Sequence, residues 1–454
     1  MKKTYCTAIA LLLVGGMGTN ADVFAQGTNA ADKSLVKHFT SSLNEGKIIN
    51  YEQDKKVRLS ELDQCRNQVW MAWKTANEQF SEEPLLALKA LSEGNNGKWN
   101  LPADLEPNAV MPYYYGYKGK ERPQEGYPFF IYMHGSGPKE QEWATGLTIC
   151  QRFDDAPSAY FIPQIPNEGS YYRWWQLSKQ YAWEKLLRMS MLSGDINPNQ
   201  IYMFGISEGG YGSQRLASYY ADYLAAAGPM AGGEPLKNAP AENCSNIGFS
   251  LLTGAEDKGF YRDILTGYVA EAFDSLQQIK PDFFQHRIEL IPGYGHAIDY
   301  SRTTPWLKKF VRNPYPAYFS WEDFEMDGRH RNGFYNLLVT ERPSEERTHY
   351  EVQIEDNVVR IQVDNVHYVT TQIDPNWGIE MKFNKSYEPA TTGRFTVFLN
   401  EHLVDLKKPV QLWVNGKLYF KGKLKLNLRN MVNCCMAFYD SCRLYPASIE
   451  VELK

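Results

Sequence analysis

Apolar positions along the chain fall into three regimes. From Leu59 to Leu91, Leu59, Leu62, Cys65, Val69 and Trp73 recur at helical spacing, and few turn formers intervene before Gly94-Asn95-Asn96-Gly97. From about Tyr113 to Arg312, short strand-like runs alternate with helical patterns. The runs are 129–133, 159–162, 201–204, 249–252 and 288–291, and their near-continuous apolar character suits strands covered on both faces. Between the second and third, Trp183, Leu186, Leu187 and Met191 form a helical stripe ended by the Asn197-Pro198 break. Such alternation predicts βαβ units and a mostly parallel sheet. Beyond about residue 340 the period falls to two, as in Val358 to Val363 and in Val410, Leu412 and Val414. Asn415-Gly416 then predicts a tight hairpin, since both residues tolerate positive φ, with Leu418 and Phe420 returning and Leu424, Leu426 and Leu428 continuing the alternation.

The expected organisation is a leader over 1–25, a helical segment over 26–104, an α/β catalytic domain over 105–312, a Pro- and aromatic-rich linker over 313–339 and a small antiparallel β-domain over 340–454. The leader reading rests on Lys2, Lys3, the apolar run from Ala8 to Val14, and Val23-Phe24-Ala25, whose last residue suits signal peptidase. It predicts export to the periplasm or the exterior. No later stretch approaches the roughly 20 apolar residues that a membrane span needs, so insertion is not expected.

Composition changes this picture little: 43% hydrophobic and 22% charged residues sit near globular averages. The net charge of -5, from 48 basic and 53 acidic residues without a basic block, argues against nucleic acid as a partner. Beyond the leader stand Cys65, Cys150, Cys244, Cys434, Cys435 and Cys442, an even number that leaves disulfides and buried thiols both open. The cluster at 434, 435 and 442 lacks the paired spacing and nearby His of a zinc site, so no metal is expected.

Candidate chemistry centres on Gly205-Ile206-Ser207-Glu208-Gly209-Gly210, which follows a strand-like run and precedes a helical pattern. A nucleophile elbow is a strained strand-to-helix turn in which only small residues fit two positions either side of the serine, and Gly205 and Gly209 meet that demand. Ser207 would then stand at a helix N-terminus, where free N–H groups favour developing negative charge. A serine hydroxyl needs a neutral imidazole to take its proton. His296, in the Gly-rich loop after the last strand-like run, is the candidate base. The carboxylate that orients it is read as Asp257, after the run that ends at Leu252, with Glu256 and Asp263 as rivals. An oxyanion would need two N–H donors, expected from Glu208 and from Gly135 or Ser136 in His134-Gly135-Ser136-Gly137. His134 itself is read as a brace for that loop. Tyr172, Trp174 and Trp175, beyond another strand end, either line a substrate pocket for sugar or aryl rings or pack a long loop onto the core.

These pieces, with 132–137, 196–202, Gly254-Ala255-Glu256-Asp257 and Gly295-His296, resemble the α/β-hydrolase superfamily. The likeness is to secreted polyhydroxybutyrate depolymerase-like, feruloyl and acetylxylan esterases and to prolyl-oligopeptidase-like catalytic domains, over less than half of the chain. The resemblance implies ester or amide hydrolysis through an acyl-enzyme, with no metal or organic cofactor. An acylated small molecule or carbohydrate is the expected substrate, and the oligomeric state is open. Glu208 departs from the small or apolar residue many relatives carry there, and its charge is expected to disfavour anionic substrates. The alternatives are a serine peptidase, although the stretch ahead of the hydrolase region is too short for a β-propeller, and a binding protein with a vestigial triad.

Overall fold

The computed structural model describes residues 31–454, so the leader expected over 1–25 lies outside the described residues. Helix α1 (Lys33–Glu45) starts where the Asp32 side chain accepts the Ser34 N–H at 2.9 Å, and stops at Gly46, whose φ of 63° ends the helical path. Helix α2 (Leu62–Gln79) buries Leu62, Cys65, Val69 and Trp73, the stripe seen in the sequence, but stops well short of Leu91. The rest of the segment expected to be helical holds β1 (Lys89–Ala90) and β2 (Asn96–Asn100). Backbone pairing to a neighbouring strand decides those residues, a long-range term that local periodicity does not contain.

The main sheet adds β3 (Val110–Lys118) and β4 (Tyr127–Met133), then α3 (Lys139–Arg152) and β5 (Ser158–Pro163), then α4 (Leu177–Ser193) and β6 (Ile196–Ile206). It continues through α5 (Glu208–Tyr220), β7 (Ala226–Met230), β8 (Gly248–Gly254), α6 (Arg262–Ile279), β9 (His286–Ile291) and the short α7 (Thr303–Leu307). Its order is β3-β5-β4-β6-β7-β8-β9, with β1 and β2 both on the outer edge of β3. From β5 to β9 every pairing is parallel, and β3 runs against β5. Every residue of β4, β5, β7 and β8 is buried, as expected for strands sandwiched between helices. On one face Phe130 stacks against Tyr160 and Tyr202, with centroids at 5.2 and 4.7 Å. This is the α/β-hydrolase fold, and among the described residues no helix is long and apolar enough to cross a membrane.

The stretch 313–339, read as a linker, instead carries β10 (Tyr318–Phe324), β11 (Gly333–Phe334) and the start of β12 (Leu337–Glu341). After them come β13 (Arg347–Glu355), β14 (Val358–Ile373), β15 (Glu380–Pro389), β16 (Arg394–Leu399), β17 (Val410–Val414) and β18 (Lys417–Gly422), then α8 (Leu428–Phe438) and β19 (Ala447–Glu452). They form a six-stranded sheet, β10-β13-β14-β17-β18 with β15 on β14, and a four-stranded sheet, β11-β12-β16-β19. All pairings are antiparallel except β14 with β17. The Asn415-Gly416 turn lies where expected, with φ of 47° and 74°. The alternation through Leu424, Leu426 and Leu428 does not continue the strand, because Leu428 opens α8, capped by the Asn427 side chain. Among the described residues the six cysteines are all free thiols, and burial raises the pKa of each.

The two regions share one core. A continuous buried apolar cluster runs from Leu35 and Trp73 through Phe129 and Met203 to Tyr350, Val410 and Phe438. Buried charges join them as well. Asp222, just after α5, accepts from Arg331 and, at 2.6 Å, from Arg443, while Asp440 accepts from Arg443 at 3.0 Å and pairs with Arg312 at 2.8 Å. Burial alone would raise both aspartates, yet their guanidinium partners hold them below the ordinary carboxylate range. Asp222→Asn would leave buried Arg331 without its carboxylate and Arg312 and Arg443 sharing Asp440. Its expected cost is about 3–5 kcal/mol, read as a lower urea midpoint of unfolding, and an unshifted midpoint would contradict this role for the cluster.

Candidate active site

The turn between β6 and α5 places Ser207 at a φ of 57°, a left-handed backbone that L-residues rarely adopt. Its neighbours explain how the chain tolerates this. A methyl group at Gly205 would overlap the Gly209 carbonyl, and one at Gly209 would overlap the Met133 carbonyl at the end of β4. The Ser207 N–H donates to the Met230 carbonyl of β7 at 3.0 Å, and the Tyr211 N–H closes the first turn of α5 onto Ser207. Three neighbouring strands thus hold the serine over the sheet.

His296 and Asp257 arrive on loops after β9 and β8. Those loops are locked together: the Glu256 N–H donates to the Tyr294 carbonyl at 2.9 Å, and at Gly254 any side chain would strike the backbone of Tyr294 and Gly295. His296 Nδ1 lies 2.7 Å from Asp257 Oδ2 and Nε2 lies 3.0 Å from Ser207 Oγ. With a carboxylate on the Nδ1 side, that nitrogen carries the proton, leaving Nε2 to accept from the serine hydroxyl. Of the three carboxylates weighed from sequence, Asp257 is the one within reach of the imidazole, and Asp263 pairs with Lys258 at 2.7 Å. The other Asp257 oxygen accepts from Arg262 at 2.9 Å. Arg262 went unread in the sequence, because a lone arginine five residues beyond the aspartate carries no pattern of its own.

The loop after β4 packs against the turn, with a methyl group at Gly135 placed 3.4 Å from Ser207 Cβ. His134 is fully buried beneath it, accepting the Ile165 N–H on Nε2 at 3.0 Å and facing the Gly135 carbonyl through Nδ1 at 2.7 Å. The Tyr172 hydroxyl lies 2.6 Å from the Gly135 carbonyl and 3.0 Å from that of Gly137, and Trp174 Nε1 donates to the His134 carbonyl at 3.0 Å. Tyr172 and Trp174 are therefore buried braces of this loop and not pocket walls, which corrects one of the two readings of the aromatic segment. Their polar tips are satisfied by backbone carbonyls behind the loop, as buried Tyr and Trp require. Trp175 does face the cavity.

That cavity, of about 550 Å³, opens beside Ser207 and Ser136 and is lined by Arg173, Trp175, Arg215 and Glu208 among others. The Arg215 guanidinium lies 4.0 Å from the Trp175 ring centroid and pairs with both oxygens of Glu234 at 2.8 and 3.0 Å. Glu208 is buried, with one oxygen 3.3 Å from Arg173 and the other without a hydrogen-bond partner. Burial pushes its pKa up to about 7 against the opposing pull of Arg173. Arg173, Arg215 and Arg262 line the same space together with Glu208, Glu234 and Glu380, so side chains of both signs surround it.

No family model matches the chain, and no curated protein does. Among solved structures it is similar to a thermostable esterase at 18% identity and a TM-score of 0.36, covering 48% of this chain and 64% of that one, less than two thirds of its length. It is similar also to a ferulic acid esterase (13% identity, TM-score 0.36, 47% and 97% covered). A third is a ferulic acid esterase from Anaeromyces mucronatus in complex with ferulic acid (12% identity, TM-score 0.35, 52% and 94% covered). None of these likenesses bears on the site.

Burial holds the His134 imidazole down from 6.5 to about 4. Between those values the unfolded chain binds a proton that the folded one refuses, so the stability present above pH 6.5 falls as pH drops through this window. At pH 5 this group alone is expected to cost about 2 kcal/mol relative to pH 7. Unfolding midpoints at the two pH values should show His134→Gln losing less on acidification than the parent, whereas equal losses would contradict a neutral buried imidazole.

Proposed function

We propose that the protein is a carboxylic ester hydrolase working through an acyl-enzyme, with Ser207 as nucleophile, His296 as general base and then acid, and Asp257 as the group that orients it. The observation that carries this reading is the continuous relay of 3.0 and 2.7 Å from hydroxyl to imidazole to carboxylate, assembled from three loops at one end of the sheet.

In the proposed cycle Ser207 Oγ attacks the ester carbonyl while its proton passes to His296 Nε2. Asp257 stabilises the imidazolium, and Arg262 keeps that carboxylate turned toward the ring. The tetrahedral oxyanion is assigned to the Glu208 N–H at the start of α5 and to the Ser136 N–H. A trans peptide directs its N–H opposite to its carbonyl, and the Gly135 carbonyl is tied to Tyr172 and His134, so the Ser136 N–H faces away from them. Each such donor is worth about 3 kcal/mol of barrier. Collapse of the intermediate breaks the C–O bond, and the imidazolium gives its proton to the departing alcohol. A water molecule, activated by His296, then attacks the acyl-enzyme and releases the acid.

A compact cavity beside the serine fits a bounded acyl or alcohol group better than an extended polypeptide, which favours esters over peptides. Its charged and amide-bearing lining suits an acylated carbohydrate or a similar polar ester.

Ser207→Ala is expected to abolish both fluorophosphonate labelling and ester turnover, with the fold retained by circular dichroism. A parent protein that never labels would overturn the reading, and faster turnover of aminoacyl anilides than of short aryl esters would move it to peptidase. Tyr172→Phe is expected to lower kcat about tenfold while KM changes little, because the hydroxyl positions the loop without touching substrate. An unchanged kcat with only a lower unfolding midpoint would reduce Tyr172 to a structural role.

A further inference from the structure

Strand β14 is much longer than its neighbours in the C-terminal sheet. Its pairing with β13 runs from Val358 to Asn365 and that with β17 from Val358 to Ile361, whereas pairing with β15 extends to Ile373. Residues beyond Asn365 therefore form a two-stranded arm, and its tip reaches the catalytic end of the other sheet. Gly378, Ile379 and Glu380 line the same cavity as Ser207.

The tip is built to stay there. The Asp374 carboxylate accepts from the Tyr261 hydroxyl at 2.6 Å and from the Trp377 N–H at 2.6 Å, so one side chain both closes the turn and fastens it to the hydrolase region. Trp377 is 61% exposed but packs against Phe260 with the rings tilted by 54° and their centroids 4.5 Å apart. Glu380 pairs with Lys237, in the loop after β7, at 2.8 Å. Phe260 and Tyr261 both have positive φ, 53° and 58°, and lie between Asp257 and Arg262. Two consecutive non-glycine residues in that conformation are strained, and the contacts of Phe260 with Trp377 and of Tyr261 with Asp374 hold them there.

We propose that the arm tip, Trp377 to Glu380, is a specificity wall of the hydrolase site, limiting the size of the ester substituent that can lodge beside Ser207. The inference rests on Ser207 being the nucleophile. Ile379 supplies the apolar surface of the wall, and Tyr261, through Asp374, sets how closely it approaches. A β-domain distant in sequence thereby decides which substrates the catalytic loops meet.

The test compares kcat/KM for small and bulky esters, varying the acyl side and the alcohol side in turn, in the full-length parent, Ile379→Ala and Tyr261→Phe. Ile379→Ala is expected to raise the bulky-to-small ratio about tenfold on one of the two sides, and Tyr261→Phe to shift it in the same direction by less. Labelling by a small fluorophosphonate is measured alongside. A labelled Ile379→Ala protein whose ratio stays within about twofold of the parent on both sides overturns the wall while leaving the nucleophile reading intact. A parent that does not label overturns that reading and this one together. Should Ile379→Ala fold poorly by its unfolding midpoint, Tyr261→Phe decides, because it removes a single hydroxyl from the anchor and leaves the cavity lining unaltered.

Discussion

The left-handed backbone at Ser207 is the constraint around which the end of the sheet that carries the candidate site is arranged. It is tolerable only because glycines stand at 205 and 209 and because the ends of β4 and β7 close in on the turn. Those close approaches require β4 and β7 to flank β6 in the sheet. Sheet order, helix placement and the position of one hydroxyl are thus a single geometric fact. Two further strand ends, β8 and β9, bring the carboxylate and the imidazole to the same side, where the interlocked backbones of Gly254 and Gly295 fix their separation.

Electrostatics around the site follow a common rule: almost every buried charge has a partner of opposite sign. Asp257 is shared by His296 and Arg262, Glu234 by Arg215 and Asn238, and Glu208 leans on Arg173. Pairing keeps the cost of burial tolerable and holds the side chains in one geometry before any substrate arrives. Glu208 is the exception in part: one oxygen is left without a partner, and burial raises its pKa to about 7 despite Arg173.

The C-terminal strands are built into the α/β region. They share its apolar cluster and the buried aspartates and arginines at 222, 312, 331, 440 and 443, and their arm reaches the cavity. An interface that buries charge in this fashion has little tolerance for relative motion, because separating the parts would leave guanidinium groups without counter-ions.

Local chemistry marks some of this plainly. Continuous apolar runs betray β4, β5, β6 and β8, since strands covered on both faces need no polar alternation, whereas β9, at the edge of the sheet, has no fully buried residue despite its apolar run. The glycine-framed serine, followed in order by Asp257 and His296, is legible because a strained turn and a proton relay each admit few residue types. Strand β7, Ala-Ala-Gly-Pro-Met, has no such signature: its small residues are chosen by the helices and backbones packed on it. Nor could periodicity reveal that Tyr172 and Trp174 brace a loop while Trp175 lines the cavity, that Arg262 steadies Asp257, or that an arm from beyond residue 360 walls the site. Side-chain type and spacing report what a segment can form by itself. Which segments meet is settled by burial and pairing between residues that local periodicity does not connect, and only the folded chain holds that information.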